Sequence, residues 1–290
     1  MIKTKNKYFT DLQEALDSIE YSDSETVIEL DNDTYYGQFT VDKPNITIMG
    51  NGSVITGSLY GHEILDDGYK RGTFNTYTLF IDADNVKLYD LCIMNNAGYG
   101  KDIGQAIALM SNGDNLRVYN CEIISYQDTL FIGPLPEKEI EPGGFKGPMQ
   151  NKERRHITNY FEDTYISGSI DFIFGSGSAY FNSCVLYSRN INAEINGYVC
   201  APSTIKEYPG FIFNYCEFLS DCKDNSVYLA RPWRNNAKVY IKNSYIGKHI
   251  KPEGYHDWDK TEARNTVEFV EENNINANTP ERVSWAKVIK

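Results

Sequence analysis

VYNCEIIS (residues 118–125) and FNYCEFLS (213–220) are two copies of one degenerate pattern, and reading that pattern decides the fold. It runs aromatic or aliphatic residue, Asn or Asp, a step of one or two residues, Cys or Tyr, then an apolar residue. It returns as LYDLCIMN (88–95), YFEDTYISG (160–168), YFNSCVLYS (180–188) and IKNSYIG (241–247), with the Cys/Tyr positions 29, 44, 19, 32 and 29 residues apart. A unit of about 20 to 30 residues interrupted by loops of uneven length stacks as the coils of a solenoid, each coil covering its neighbour's apolar face. The intervening runs, among them TVIEL, NITIMG and SVITG, are short, β-branched and bounded by Gly, Asn and Asp, which makes the units strands. The expected fold is therefore an all-β parallel β-helix with cysteines stacked inside and insertions leaving as loops. A β-sandwich is the alternative, but its hairpin dipeptides are scarce here. No compositional break divides the chain, so one domain over residues 1–290 is expected.

One helix interrupts the strand pattern. In FTDLQEALDSI (9–19), Leu12, Ala15, Leu16 and Ile19 form a helical stripe, and Thr10 or Asp11 can cap it. Such a helix would close the open N-terminal end of the solenoid. The long loop GPLPEKEIEPGGFKGPMQNKERRH (133–156) has no periodicity and much Pro and Gly. Long loops on a rigid scaffold are where binding sites form, although an inserted loop can also be merely tolerated.

Composition narrows the function. The net charge is −12, without a Lys/Arg stripe, which argues against a nucleic-acid binder and implies repulsion from polyanions. No apolar run approaches the roughly 18 residues that cross a bilayer, so no membrane partner is expected. The start, MIKTKNKYFTDLQEAL, is basic but has no apolar signal-peptide core, so a cytoplasmic protein is expected, or a secreted one if this sequence has been trimmed. The six cysteines include no CxxC pair and no His partners at metal-ligand spacing, so they read as small apolar side chains.

Against that background two acids stand out. Asp128 in SYQDTLF and Asp171 in SGSIDFIFGSG each sit alone among apolar and aromatic residues, where an unpaired charge is costly. They are 43 residues apart, one or two coils, so they can lie side by side on adjacent strands. Arg231 and Trp233 in YLARPWRNN, Gln127 beside Asp128, and Gln105 in GQAIALM repeat the same polar-among-apolar pattern. An Arg in such a setting usually pairs with a carboxylate. From these residues alone, a two-carboxylate site and a set of structural ion pairs both remain open. If the acids are neighbours, one pKa is expected to rise and the other to fall, with Arg231 selecting which.

Taken in order, GQAIAL (104–109), YQDTLF (126–131), GSIDFIFG (168–175) and YLARPW (228–233) resemble the signatures of pectin methylesterases of the bacterial type (carbohydrate esterase family 8). FTDLQEALDSI, GPLPEKEIEPGGF, GYVCAPST, GKHIKPEGYHDW and RVSW extend the resemblance over nearly the whole chain. The chain departs from the pattern at GSGSAYF (175–181), at Ala230 where Gly is usual, and at Tyr255 where Trp is common. The resemblance implies a right-handed β-helix and hydrolysis of galacturonate methyl esters in pectin or methylated oligogalacturonides, with no cofactor and no metal. It implies Asp171 as nucleophile and Asp128 as general acid and then base. Gln127 and Gln105 become oxyanion donors, and Arg231 holds Asp171 ionised. Trp233 and Phe174 would pack against sugar rings, since aromatic faces suit the apolar face of a pyranose. A monomer is expected, acting on imported oligogalacturonides if cytoplasmic.

Rival readings are less well supported. A pectate lyase would need clustered acids for calcium and a basic residue as base, and a polygalacturonase would need Gly-His-Gly and Arg-Ile-Lys, where this chain has only GHE at 61–63. A non-catalytic pectin-binding module would be expected to lose an Asp, Gln or Arg, and none is lost. The four histidines (62, 156, 249, 256) are expected to be structural or at the surface, and Trp258 to pack near the C-terminal coils. Arg154 and Arg155 in KERRH interrupt an acidic chain beside the long loop. Arg155 is the expected contact to a substrate carboxylate. The net charge makes highly methylated, nearly neutral pectin the expected substrate.

Overall fold

The computed structural model describes residues 1–4 and 7–289. Each complete coil carries three strands. One coil contributes Arg117–Tyr119, Glu122–Ile124 and Leu130–Ile132; the next contributes Thr158–Glu162, Tyr165–Gly168 and Ile170–Gly175; a third contributes Ser178–Asn182, Val185–Ser188 and Gly197–Pro202. Successive coils pair in parallel, so Ile93, Ile123, Ile166, Leu186, Phe218 and Ile246 stack in one column, 30, 43, 20, 32 and 28 residues apart. Every member of the column is buried. Among the described residues the strands form two sheets, of nineteen and seven strands. The larger covers two faces of the solenoid, because Lys87–Asn95 pairs with both Arg117–Tyr119 and Glu122–Ile124 as it turns a corner. The parallel β-helix expected from the repeat is the fold observed.

The Asn/Asp position of the repeat has a backbone cause. The chain turns that corner through one left-handed residue per coil, Asp90, Asn120, Asp163, Asn243 and Asn273, with φ between 49° and 51°. Asn and Asp tolerate this region better than other side-chain-bearing residues. Ser183 and Tyr215 fill the same corner at φ 53° and 54°. Amide side chains then stack from coil to coil: Asn243 donates to Asn214 at 3.0 Å, and Asn214 to Asn182 at 3.1 Å. The cysteine column differs from the sequence reading by one residue. Cys121, Thr164, Cys184, Cys216 and Ser244 share an inward position, their carbonyls each taking the next coil's amide. Cys92 instead pairs with Glu122, on the outward-facing position, and is only half-buried. Side chains alternate along a strand, so a slip of one residue reverses the face. All six cysteines are free.

Phe161, Phe181 and Phe213 stack through the interior at 4.8 and 4.5 Å between centroids. The N-terminal helix is shorter than the sequence stripe, Leu12–Asp17 rather than 9–19. The Asp11 side chain caps it by accepting from the Glu14 amide at 2.8 Å. Phe9 belongs instead to the strand Lys7–Phe9, antiparallel to Ile2–Thr4. Leu12, Ala15 and Leu16 bury themselves against the end of the solenoid. At the far end the buried pair Arg282–Glu271 (2.6 Å) lies beneath Tyr255, whose hydroxyl donates to Glu271 at 3.2 Å. The hydroxyl accounts for a Tyr at that position, since it satisfies a buried carboxylate oxygen. Phe181→Ala opens a cavity in the middle of the stack and is expected to cost about 3–5 kcal/mol. Urea denaturation with the slope unchanged checks this.

Candidate active site

The seven-stranded sheet positions the site. Phe80, Met110, Phe131, Phe174 and Ala201 stand in register along it. With the next residue in line, Arg231, the row turns from apolar to charged. Phe74, Leu135, Phe145 and Met149 cover this row from outside, forming a second buried cluster with Trp233 packed against it. Three of those four come from the long loop, which therefore folds onto the sheet. Beside the cluster opens a cleft of about 360 Å³ lined by Gln105, Gln127, Asp128, Asp171, Arg231 and Trp233. The residues singled out in four separate stretches of sequence thus share one cleft.

Leu130 pairs with Ile173, so Asp128 and Asp171 occupy equivalent places two residues earlier on adjacent coils. Both have left-handed backbones, φ 61° and 50°, and the Asp128 amide donates to the carbonyl of Ile170 at 3.0 Å. Such strain, held by packed coils on both sides, is common at functional sites. Asp171 is gripped by a fork: Arg231 Nε donates to Oδ1 at 2.8 Å and Nη2 to Oδ2 at 2.6 Å. The same guanidinium lies over the Tyr198 ring at 3.8 Å and the Trp258 ring at 3.6 Å. Asp128, 8% exposed, has no ion-pair partner among the described residues. Neither glutamine amide is engaged by another described side chain, and Gly61 leaves Gln105 its room: a Cβ there would sit 2.8 Å from Oε1.

Burial, followed by the charge of Asp171, pushes the Asp128 carboxyl well above the usual carboxylate range, with Arg231 opposing. The expected fall of Asp171 below that range does not occur. Burial raises it too, while Arg231 and then Lys260 pull it back, so its rise stays short of Asp128's. Arg231 favours the charged form of Asp171 directly, through its two bonds, and opposes the rise of Asp128 only from further off.

Several placements differ from the sequence reading. Trp258 is at the cleft against Arg231, not in the C-terminal packing. Arg155 stands away from the cleft, its guanidinium pairing with Asp84, a carboxylate two coils back along the stack. Arg154 donates to the carbonyls of Met149, Gln150 and Lys152 and braces the loop. Phe174 lines the cleft but is 4% exposed, so its ring supports Trp233 at 5.8 Å and offers little face of its own. Sequence reasoning missed Tyr198, although the GYVCAPST segment carried it, and missed Arg234 and Lys260.

The family model described as Pectinesterase matches residues 2–134 and 146–290. The chain belongs to the pectinesterase family. Pectinesterase 1 of Solanum lycopersicum is 30% identical over 257 residues, 84% of this chain and 42% of that protein. This chain therefore spans less than half the length of that relative. The fold is similar to that of a pectin methylesterase from carrot, TM-score 0.79 at 25% identity over 97% of this chain and 84% of the other. It is also similar to that of a pectin methylesterase from Yersinia enterocolitica, TM-score 0.77 at 22% identity over 97% and 94%. The family match omits 135–145, the part of the loop that brings Ile140, Glu141 and Phe145 to the cleft, so the family resemblance of the GPLPEKEIEPGGF segment does not extend to that match.

Because the folded state holds the Asp128 proton more tightly than the unfolded chain does, this group's contribution to stability is present below about pH 4 and is lost as pH rises through the raised value. Asp128→Asn is therefore expected to raise Tm, by an amount that grows from pH 4 to pH 8. Thermal denaturation at the two pH values checks the sign.

Proposed function

We propose that this chain hydrolyses the methyl esters of galacturonate residues in pectin or methylated oligogalacturonides through an aspartyl acyl-enzyme. The observation that carries the reading is the asymmetry of the acids. Asp171 is held by two charge-assisted bonds from Arg231, while Asp128, in register one coil before it, is buried without an ion-pair partner among the described residues. One is an aimed anion and the other a proton carrier, the division of labour that acyl transfer needs.

Asp171 attacks the ester carbonyl carbon, and the pair of electrons displaced onto the carbonyl oxygen is received by the Gln127 and Gln105 amides. As the intermediate collapses, Asp128 gives its proton to the methoxy oxygen and methanol leaves, with Asp171 acylated as a mixed anhydride. Asp128, now a carboxylate, takes a proton from water. The resulting hydroxide attacks the galacturonyl carbon and expels Asp171, to which Arg231 returns as partner. Trp233 offers a ring at the cleft wall for the sugar, backed by Phe174 and Phe145. Family membership and the carrot enzyme's similarity support the substrate class.

Asp171→Ala is expected to fold, as judged by circular dichroism, and to release no methanol from pectin. Asp171→Asn should fail equally, since an amide neither attacks nor pairs ionically with Arg231. Methanol release by either variant at the wild-type rate would overturn the mechanism. Gln127→Ala is expected to lower kcat by about 10²- to 10³-fold with a much smaller change in KM, the pattern for a donor used mainly in the transition state. Steady-state kinetics on a methylated oligogalacturonide separate the two parameters.

A further inference from the structure

His256 takes no part in the ester chemistry above, yet it touches both rings that lie against Arg231. Its Nδ1 accepts the backbone amide of Trp258 at 2.9 Å, and its ring meets that of Tyr198 edge-on, 5.9 Å between centroids. Those two rings stand 3.6 and 3.8 Å from the Arg231 guanidinium. The His256 amide donates to the carbonyl of Ala230, the residue before Arg231, at 3.1 Å, so the turn starts from a fixed point. Beyond it the backbone is strained. Trp258 and Asp259 are consecutive left-handed residues, at φ 56° and 57°. A bulky side chain at positive φ is an outlier, and it persists only where its surroundings impose it. Two side chains impose this one: Nδ1 of His256 takes the Trp258 amide, and Oδ1 of Asp257 takes the Asp259 amide at 3.0 Å. Arg264 in turn fixes Asp257, donating from Nε at 2.8 Å.

We propose that His256 is a positioning residue for the nucleophile, acting through this one hydrogen bond. By holding the Trp258 amide it keeps the indole on Arg231, and so keeps Arg231 forked to Asp171. The inference rests on the esterase reading above and adds to it a residue that touches no reacting atom. With the amide released, Trp258 relieves its strain by returning to negative φ, and that rotation carries the indole off the guanidinium. Arg231 then loses the attraction of one of its two rings. A guanidinium freer to leave Asp171 opposes less of the burial that raises that carboxyl. The bond also fixes the imidazole: an Nδ1 that accepts leaves the ring proton on Nε2.

The test compares His256→Asn with His256→Phe. An Asn side chain accepts from the amide two residues on, so it keeps the bond to Trp258 and discards the ring. Phe keeps a ring and discards the acceptor. Asp257, Asp259, Tyr198 and Tyr228 surround the imidazole, and both replacements are neutral, so comparing them cancels the loss of its titration. Neither alters Asp128, Arg231, Tyr198, Cys200 or Lys260, the titratable groups facing Asp171. On fully methylated trigalacturonate, His256→Phe is expected to move the acid limb of kcat/KM to higher pH, because a carboxyl less firmly held by Arg231 ionises later. Below that limb kcat/KM falls by about three- to tenfold, the worth of one neutral hydrogen bond, and on the plateau by less. His256→Asn is expected to keep the wild-type limb. Without substrate, the indole N–H resonance of Trp258, one of three tryptophans and assigned with Trp258→Phe, should move in His256→Phe and stay in His256→Asn. An unshifted limb with an unmoved indole in His256→Phe would overturn the role, as would His256→Asn behaving like His256→Phe. No methanol from the wild type would overturn the esterase reading instead, and the indole resonance would still judge whether His256 holds Trp258.

Discussion

The fork between Arg231 and Asp171 is the interaction on which the site depends. It joins residues 60 apart in the chain. Burying such a pair costs several kcal/mol per ion before any attraction is counted. Here the cost is offset by two short charge-assisted bonds and by the rings of Tyr198 and Trp258 over the guanidinium. Without the guanidinium, two buried carboxyls would face one another with nothing to favour the charged form of either. Arg231 breaks that symmetry, and under the mechanism proposed above it sets which carboxyl is the anion.

What delivers Arg231 to Asp171 is register. In a parallel stack a residue pairing fixes those around it until a bulge intervenes, so Leu130 opposite Ile173 also sets Asp128 beside Asp171, while on the following coil the pairing shifts by one residue between Ile170 and Ile173. The coil between them is long because it contains the loop 133–156, yet the strands on either side still meet in register. The loop repays the sheet by covering its outer apolar row with Leu135, Phe145 and Met149. The same sheet face is thus both a hydrophobic core and a cleft wall. Its polarity changes from Phe174 to Arg231 within two coils, over a scaffold stiff enough to hold both acids with left-handed backbones.

Legibility in the sequence followed the cost of burial. Asp128, Asp171, Arg231 and the two glutamines were visible because polar groups among Ile, Leu and Phe require a reason. Tyr198 and Trp258 gave no such signal, since an aromatic residue in a β coil is ordinary whether it packs in a core or over a guanidinium. Arg155 misled for the opposite reason: a basic residue beside a loop resembles a substrate contact, but Asp84, two coils back along the stack, lies within its reach. Arg234 and Lys260 carried no signal in the sequence, and their donation to one Trp233 carbonyl is seen only in the structure.

The sequence by itself determined the repeat, the strand character of the coils, the positions that need a left-handed corner, and which charged groups are buried. These are local properties: a side chain's hydrophobicity and a residue's tolerance for positive φ are present before any folding. The tertiary structure alone decided the exact phase of the columns, which moved Cys92 to the outer face, and the partner of each buried charge. It also decided that burial lifts Asp171 as well as Asp128. Those outcomes depend on distances between segments tens of residues apart, and a coil whose loops vary in length leaves such distances undefined until its strands are paired.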